Sequence, residues 1–317
     1  MEPERGNTTI HLDHEAVVEL VQKAFPSCKN VGRLNLLKGD AQNVLYSFKI
    51  GDETLVLRLY TRNKADGRRE KELHALIKSA LHLPELIYAD ENHHPWPFAI
   101  FRFVPGLRLK ETPSSIVSTL SGKIGEILAL IHSFKFPNAG FFEEGITVKN
   151  VVPIGSSPYL EKTLSKLNKN GKVRQRLGDE LVDEMLEFIN ANRDFFPVIG
   201  DDTCLTHSDF RPANLLYQPG GNIIVLGWDF AHAGAKIMDF AVLLRHRHKM
   251  GLNVDAVLKG YAKHNGTLPE EWYRSALITD FLNMAIMLDA PVEHPAQFEE
   301  LENVLRTTMS EWNCSKR

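Results

Sequence analysis

The chain has 317 residues, of which 43% are hydrophobic and 24% are charged, and its formal net charge is −3. This composition predicts a globular protein with enough apolar material for one large core or two modest ones. Such a charge balance argues against a nucleic-acid partner, because nucleic-acid binders usually carry a basic excess.

The cysteines and the N-terminus bear on cellular location. Cys28, Cys204 and Cys314 lack the spacing of metal ligands, which favours reduced thiols. The first residues contain no apolar signal region, and no apolar run is expected to reach the length of a membrane span. The sequence therefore predicts a cytoplasmic protein without a membrane partner.

The N-terminal third is predicted to contain a helix followed by a β-hairpin. Asp13 precedes apolar residues at helical spacing, which predicts a capped helix. Two apolar runs, 44–50 and 55–60, flank the turn-forming pair Gly51-Asp52. This pattern is typical of two antiparallel strands joined by a tight turn.

A basic residue occupies the middle of the second predicted strand. Alternation places Arg58 on the same face as Val56 and Tyr60, with leucines on the opposite face. A buried cation is costly unless an anion meets it, and the planar fork of a guanidinium suits phosphate oxygens. Two interpretations are open: an edge-strand arginine that points to solvent, or an arginine that binds phosphate.

A charged helix and two strands complete this region. The helix is predicted at 66–80, and its first turns carry several charged residues, among them Glu70 and Glu72. A charge run at the start of a helix usually marks a solvated face. The strands are predicted at 83–88 and 98–104 because both segments are short and apolar.

The rest of the chain is predicted to be mainly helical. Thr112 is expected to cap a helix whose first residue is Pro113 and whose end lies near His132. In the helix predicted at 237–250, the basic residues 245–248 are expected on the solvent side. Apolar periodicity predicts the other helices at 159–167, 176–192, 254–263, 269–288 and 296–312.

A polar segment between apolar strands carries the chemistry. Residues 207–214 read His-Ser-Asp-Phe-Arg-Pro-Ala-Asn. A carboxylate five residues before a carboxamide suits phosphoryl transfer to a hydroxyl. Asp209 can orient the hydroxyl and take its proton, while the oxygen of Asn214 coordinates a metal ion on the nucleotide. Proline between the two residues stiffens the loop, because its ring fixes φ.

This segment resembles the catalytic loop of the aminoglycoside phosphotransferase and choline kinase-like enzymes. Their pattern is H-x-D-x-x-x-x-N, then a strand ending in Asp-Trp-Asp or Asp-Trp-Glu, then an Asp before an apolar helix. The resemblance covers nearly all of 34–288. The positions that fall into register are His207, Asp209, Asn214, Trp228, Asp229 and Asp239.

The resemblance implies an α+β, bilobal protein-kinase-like fold. A small antiparallel-sheet N-terminal lobe would span 1–104, and a larger, mainly helical C-terminal lobe would span 105–317. The activity implied is transfer of the γ-phosphoryl group of ATP or GTP to a hydroxyl of a small molecule. Aminoglycosides, amino alcohols and sugars all remain open as acceptors, and so does the oligomeric state.

The resemblance also implies roles for single residues. Asp209 would be the catalytic base, and Asn214 and Asp229 would hold Mg²⁺. Arg58 would grip the nucleotide phosphates, held in place by Glu70, with Glu72 as the other candidate.

Three further positions are expected to contact the nucleotide. Gly39 would lie in the loop over the phosphates, although a loop with one glycine resembles an ordinary turn. Arg102 and Val104 would lie at the hinge between the lobes, where main-chain groups hold adenine.

One position departs from the family pattern. Gly227 stands where the family carries its metal-binding Asp. Three interpretations are open: Asp229 takes over the metal, the chain is a catalytically impaired, pseudokinase-like nucleotide-binding protein, or Gly227 replaces an Asp of the native sequence. A weaker alternative is a metal hydrolase. It would be built from His207, Asp209, Asp229 and His232, residue types that suit a metal although their spacing matches no zinc pattern.

Overall fold

The structure is a computed structural model that describes residues 12–28, 30–37, 43–151, 160–161, 164–168, 171–195, 203–290 and 295–314. The chain divides into two compact units. The first comprises Met1–Leu107, Phe142–Thr147 and Tyr217–Asp229. The second comprises Arg108–Phe141, Val148–Leu216 and Phe230–Arg317.

An antiparallel sheet of five strands forms the centre of the first unit, in the order β1-β2-β3-β5-β4. The predicted hairpin is confirmed, because Ile50 pairs with Glu53 across the turn. Strand β3 lies between β2 and β5, so Arg58 is not on an edge strand. The strands are β1 (Asn35–Leu36), β2 (Val44–Ile50), β3 (Glu53–Leu59), β4 (Leu86–Asp90) and β5 (Phe98–Arg102).

Two helices belong to the first unit. Helix α1 (His14–Ala24) is capped as predicted, since the Asp13 carboxylate accepts a hydrogen bond of 2.8 Å from the N–H of Ala16. Its apolar face packs against the sheet in a core that includes Phe48 and Leu57. Helix α2 (Ala65–Ile77) follows β3 and ends three residues before the predicted boundary (80 − 77).

The second unit is mainly helical. Its helices are α3 (Ser114–His132), α4 (Lys172–Leu177), α5 (Asp179–Ala191), α6 (Ile237–Arg245), α7 (Arg247–Met250), α8 (Val254–Lys263), α9 (Trp272–Leu288) and α10 (Pro295–Cys314). The remaining strands of the described chain are short: β6 (Leu107–Arg108), β7 (Gly140–Glu144), β8 (Thr147–Val151), β9 (Cys204–Thr206), β10 (Leu215–Tyr217), β11 (Ile223–Val225) and β12 (His232–Gly234).

Three predicted helices differ in detail. The helix predicted at 176–192 is two helices that meet at Gly178, whose φ of 84° interrupts the helical backbone. The helix predicted at 237–250 is likewise interrupted, at His246. Pro113 precedes helix α3 rather than starting it, and the hydroxyl of Thr112 donates to the carbonyl of Arg108 at 3.0 Å instead of capping.

Helices α3 and α8 pack unusually close together, and glycines make this possible. A Cβ on Gly125 would stand 1.9 Å from the carbonyl oxygen of Val257, and one on Gly260 would stand 1.9 Å from that of Gly122. Among the described residues, α3 is the one helix long and apolar enough to cross a membrane, contrary to the sequence expectation. Half of that apolar stretch is buried inside the protein, as in the core helix of a globular domain.

The prediction that residues 245–248 face solvent is wrong for the two arginines. The Arg245 guanidinium lies against the Asp280 carboxylate of α9, with Nε 3.1 Å from Oδ1, and both side chains are buried. Arg247 donates to the carbonyl of Leu244 at 3.0 Å and pairs with Glu311. Counter-charges from distant helices made burial possible, and helical periodicity does not reveal such partners.

Candidate active site

The predicted catalytic loop follows β9 in the second unit. Strand β9 pairs antiparallel with β12, which fixes the start of the loop. Ser208 has a φ of 62°, a left-handed conformation that is uncommon for residues other than glycine. Two backbone N–H groups at this bend, those of His207 and Ser208, donate to the carboxylate of Asp239 at 2.9 and 2.6 Å. Asp239 therefore fixes the backbone of the loop.

Asp239 is a fully buried carboxylate whose charge is balanced locally. Its Oδ2 lies 3.2 Å from Nε2 of His132, whose Nδ1 lies 2.9 Å from the hydroxyl of Tyr261. Burial opposes ionisation of Asp239, but its contacts with His132 and His207 outweigh burial and hold its pKa below the usual 3.8. Asp239 is therefore ionised at neutral pH.

Asp209 and Asn214 converge at the end of this loop. The amide nitrogen of Asn214 donates to Oδ2 of Asp209 at 2.7 Å and to its backbone carbonyl at 2.9 Å. The guanidinium of Arg211 lies 2.9 Å from the other carboxylate oxygen. The Asp209 side chain keeps 21% of its surface exposed, so a hydroxyl can approach it. A short 3-10 turn, Pro212–Asn214, sets the spacing.

The amide oxygen of Asn214 suits a metal ion. Its side chain makes two hydrogen bonds within the described part of the chain, and the nitrogen donates both. Within the described ranges the oxygen accepts none, although the residue is 9% exposed. An amide oxygen left without a donor is a ligand type that Mg²⁺ and Ca²⁺ accept.

A buried cluster of charged residues lies in the first unit and is centred on Arg58, which is 7% exposed. One terminal nitrogen of its guanidinium lies 3.2 Å from Oε1 of Glu70, and the other lies 2.6 Å from Oδ1 of Asp229. Glu70, and not Glu72, is thus the α2 carboxylate that contacts Arg58. Glu72 instead binds Arg68 at 2.8 Å and the backbone N–H of Ile146 at 3.0 Å.

Sequence reasoning missed four members of this cluster. The hydroxyl of Tyr60 donates to Glu70 at 2.6 Å, and the amide of Asn43 donates to Asp229 at 2.8 Å. Arg69 donates to the backbone carbonyl of Asp229 at 2.8 Å and lies 2.9 Å from the carboxylate of Asp66. Tyr60 had a signal, since it shares a strand face with Arg58, and Asp66 and Arg69 lie three residues apart on one helix. The contacts of Asn43 and Arg69 with Asp229 depend on distant segments.

Ionisation in the cluster follows from burial and charge. Burial opposes the ionised form of Asp229, but the charge and hydrogen bond of Arg58, together with Arg69 and Asn43, outweigh burial and lower the pKa of Asp229. Burial, then the neighbouring Glu70, raises the pKa of Tyr60 well above 10.0, so its hydroxyl keeps its proton and donates. Burial also raises the pKa of Asp66, against the opposing effect of Arg69.

The carboxylate that the family pattern places at position 227 is missing. Gly227 has no side chain, and its φ of 75° is a conformation that favours glycine. Oδ1 of Asp229 already accepts from Arg58 and Asn43. Among the described residues, no group of three or more His, Cys, Asp or Glu side chains could hold a metal. Asn214 thus fits a metal ion, whereas the positions around Asp229 fit a guanidinium.

The other predicted nucleotide contacts are placed as follows. Arg102, at the end of β5, is exposed and pairs with Glu53 and Glu85, each at 2.7 Å, away from Arg58 in the sheet register. The N–H of Val104, just beyond β5, donates no hydrogen bond to the described part of the chain, so it is available to a ligand. Gly39 lies outside the described residues.

A sheet unit with a buried Arg–Glu pair and a helical unit with an Asp–Asn loop define the class of protein-kinase-fold phosphotransferases. The chain belongs to the phosphotransferase enzyme family, APH, whose family model matches residues 33–276. The predicted family and the predicted α+β, kinase-like fold are confirmed.

Solved structures with this fold support the assignment. Aminoglycoside phosphotransferase APH(4)-Ia has 17% sequence identity and a TM-score of 0.66, with 93% of this chain and 98% of that chain covered. Spectinomycin phosphotransferase APH(9)-Ia, in complex with ADP and spectinomycin, has 13% identity and a TM-score of 0.66 over 93% and 94%. Amicoumacin kinase hAmiN, in complex with AMP-PNP, Ca²⁺ and Ami, has 14% identity and a TM-score of 0.59 over 95% and 94%. Identity at this level establishes the fold alone. No curated protein matches the sequence.

Proposed function

We propose that the chain transfers the γ-phosphoryl group of ATP or GTP to a hydroxyl of a small molecule that is aminoglycoside-, amino alcohol- or sugar-like. The observation that carries the proposal is the Asp209–Asn214 pair on a loop whose backbone is fixed by buried Asp239. Family membership supports phosphoryl transfer, and two fold relatives bind an adenine nucleotide together with a small molecule. A cytoplasmic location belongs to the same proposal, because ATP and GTP are abundant there.

Asp209 supplies the base in this proposal. One carboxylate oxygen is held by Asn214, so the other is oriented toward an incoming hydroxyl once Arg211 gives way. Arg211 keeps 42% of its side chain exposed and is able to move. A positioned base of this kind contributes roughly 10²–10⁴ in rate. The hydroxyl proton passes to the carboxylate as the acceptor oxygen attacks the γ-phosphorus and the nucleoside diphosphate leaves.

The donor nucleotide would be held by the first unit. Arg58 is the phosphate-binding cation. Its position is fixed by Glu70, which in turn accepts a hydrogen bond from the hydroxyl of Tyr60. The N–H of Val104, which donates to no described residue, is the main-chain group for the base. Mg²⁺, when bound, would neutralise charge on the β- and γ-phosphates, and the amide oxygen of Asn214 is the ligand that would hold it.

A transfer screen tests the proposal. The full chain is incubated with ATP or GTP, Mg²⁺ and a panel of hydroxyl compounds from the three acceptor classes, and phosphorylated products are identified by mass. We expect one class to give product together with an equal amount of nucleoside diphosphate. A chain that phosphorylates nothing and releases no diphosphate contradicts the proposal.

A second candidate function is nucleotide binding without transfer, as in a pseudokinase. Gly227 is the observation that favours it, because the family's metal-binding carboxylate is missing there. Since about 1.4 kcal/mol corresponds to a tenfold change in rate, loss of that carboxylate can cost several orders of magnitude. Saturable ATP binding with no product in the same screen would favour this candidate.

A further inference from the structure

The guanidinium of Arg58 is occupied by carboxylates at both terminal nitrogens. Glu70 takes one and Asp229 takes the other, at 3.2 and 2.6 Å. The shorter contact is the one with Asp229, and both oxygen partners belong to carboxylates. A nucleotide phosphate that accepts from both terminal nitrogens of Arg58 must therefore displace the carboxylate of Glu70 or that of Asp229.

Contacts with the surrounding residues hold the carboxylate of Asp229 against Arg58. Its Oδ1 also accepts from Asn43 at 2.8 Å, and its backbone carbonyl accepts from Arg69 at 2.8 Å. The preceding residue, Trp228, is buried and donates its indole N–H to the carbonyl of Val225 at 3.2 Å. Side chain and backbone are thus both fixed with the carboxylate on Arg58.

Carboxylates surround Arg58 before any ligand arrives. Among the described residues, Glu70 and Asp229 contact Arg58 directly, and Asp66 pairs with the neighbouring Arg69. A polyphosphate that approached Arg58 would meet an ionised Asp229, and like charges at short range repel. Exchange of one anion for the other is the simplest way to relieve this repulsion.

We infer that the Asp229 carboxylate occupies the position on Arg58 that a nucleotide phosphate would take. It lowers nucleotide affinity by competing with that phosphate, and does not raise the affinity by holding a metal ion. The inference rests on one part of the proposed function, the assignment of Arg58 as the phosphate-binding cation, and not on the transfer step. This role is opposite to the interpretation in which Asp229 takes over the metal because Gly227 lacks the family's carboxylate. A metal ligand strengthens nucleotide binding in the presence of Mg²⁺, whereas a competitor weakens it at any Mg²⁺ concentration.

The test is equilibrium binding of ATP to the full chain, measured by calorimetry in EDTA and again in excess Mg²⁺. The variant Asp229→Asn removes the competing charge and keeps the size of the side chain. The control Asp52→Asn removes the same charge from an exposed turn of the same unit. We expect Asp229→Asn to bind ATP roughly tenfold tighter than the wild type in EDTA, which corresponds to removal of about one charge contact near a protein surface. We expect Asp52→Asn to leave the affinity unchanged.

A further variant shows whether the gain depends on Arg58. In Asp229→Asn combined with Arg58→Gln, the gain in affinity should be lost, because the cation that receives the phosphate is gone. The wild type alone gives a measurement that needs no folded variant: Mg²⁺ should change its ATP affinity less than about twofold, since a single amide ligand holds Mg²⁺ weakly.

Two results would overturn the inference while leaving the proposed function standing. One is weaker ATP binding by Asp229→Asn than by the wild type. The other is Mg²⁺-dependent tightening of the wild type that Asp229→Asn lacks, which would make Asp229 a metal ligand. If nucleotide binds as expected but no acceptor is phosphorylated, the proposed function fails and the inference stands. ATP binding by neither protein would overturn both.

Discussion

The carboxylate of Asp239 and the backbone of Ser208 are joined by a hydrogen bond of 2.6 Å from the Ser208 N–H. This bond holds Ser208 at a φ of 62°, so the chain turns sharply just before Asp209. A buried ionised acceptor thus stabilises a strained backbone position next to the proposed base. The geometry of the loop depends on a residue that lies 31 positions away in the sequence.

Replacing this acceptor should destabilise the protein. Asp239→Asn keeps the shape but loses the charge that two backbone N–H groups and His132 face. We expect the free energy of unfolding at neutral pH to fall by about 3 kcal/mol, as for a broken buried ionic contact. Chemical denaturation of both proteins measures the difference.

The same substitution has a pH signature. The pKa of Asp239 is lower in the folded protein than its usual 3.8, so its contribution is fully present above that value and is lost as the pH falls through the folded pKa. The stability difference between wild type and Asp239→Asn should therefore shrink below about pH 4. A difference that stays constant between pH 3 and 7 would contradict this account of Asp239.

Glu70 and Glu72 should differ sharply in their effect on stability. Glu70→Ala removes one of the carboxylates that contact buried Arg58 and takes the acceptor from the buried hydroxyl of Tyr60, so we expect a loss of about 3 kcal/mol. Glu72→Ala removes a half-exposed ion pair with Arg68 and the acceptor of the Ile146 N–H, and should cost only about 1 kcal/mol. Equal losses in urea unfolding would mean that the Arg58–Glu70 contact is not the one that matters.

Gly145 and Gly51 form a matched pair for testing the contact between α2 and the β7–β8 turn. Both have left-handed backbones, with φ of 62° and 59°, so alanine at either site costs about 1 kcal/mol. A Cβ on Gly145 would stand 1.8 Å from Oε2 of Glu72, whereas one on Gly51 would meet nothing within 4 Å. Gly145→Ala must therefore displace Glu72 from the N–H of Ile146 and should cost about 1 kcal/mol more than Gly51→Ala in thermal unfolding. Identical costs would show that Glu72 moves without penalty.

The buried pair of Arg245 and Asp280 should behave as a unit. Arg245→Met alone strands a carboxylate that is 5% exposed, so we expect a loss of about 3–5 kcal/mol. Combining it with Asp280→Leu removes the stranded charge and should restore stability to within about 2 kcal/mol of the wild type. A double-mutant cycle on unfolding free energies measures the coupling, and additive losses would contradict the pairing.

Local signals in the sequence predicted local structure well. The cap at Asp13 and the hairpin around Gly51-Asp52 depend on residues within a few positions of one another, and both are present. The interruption of a helix at Gly178 was missed because apolar periodicity continues through it. A single glycine is a weaker signal than apolar periodicity that extends over several helical turns.

Long-range contacts explain what the sequence did not predict. Asn43 contacts Asp229 across 186 positions, and Arg69 contacts the same residue across 160. The burial of Arg245 depends on Asp280, which lies on another helix. A motif locates the proposed base, but the partners that set charge and orientation come from the tertiary fold.

The proposed base is tested most directly by the rate of phosphoryl transfer in two matched variants. Asp209→Asn removes the carboxylate that lies 2.7 Å from the amide nitrogen of Asn214, and Asp255→Asn changes an exposed aspartate in the first turn of α8. With the acceptor found in the screen, we expect kcat to fall at least about 10²-fold in Asp209→Asn and to stay unchanged in Asp255→Asn. Transfer at the wild-type rate by a folded Asp209→Asn protein would contradict the assignment of Asp209 as the catalytic base.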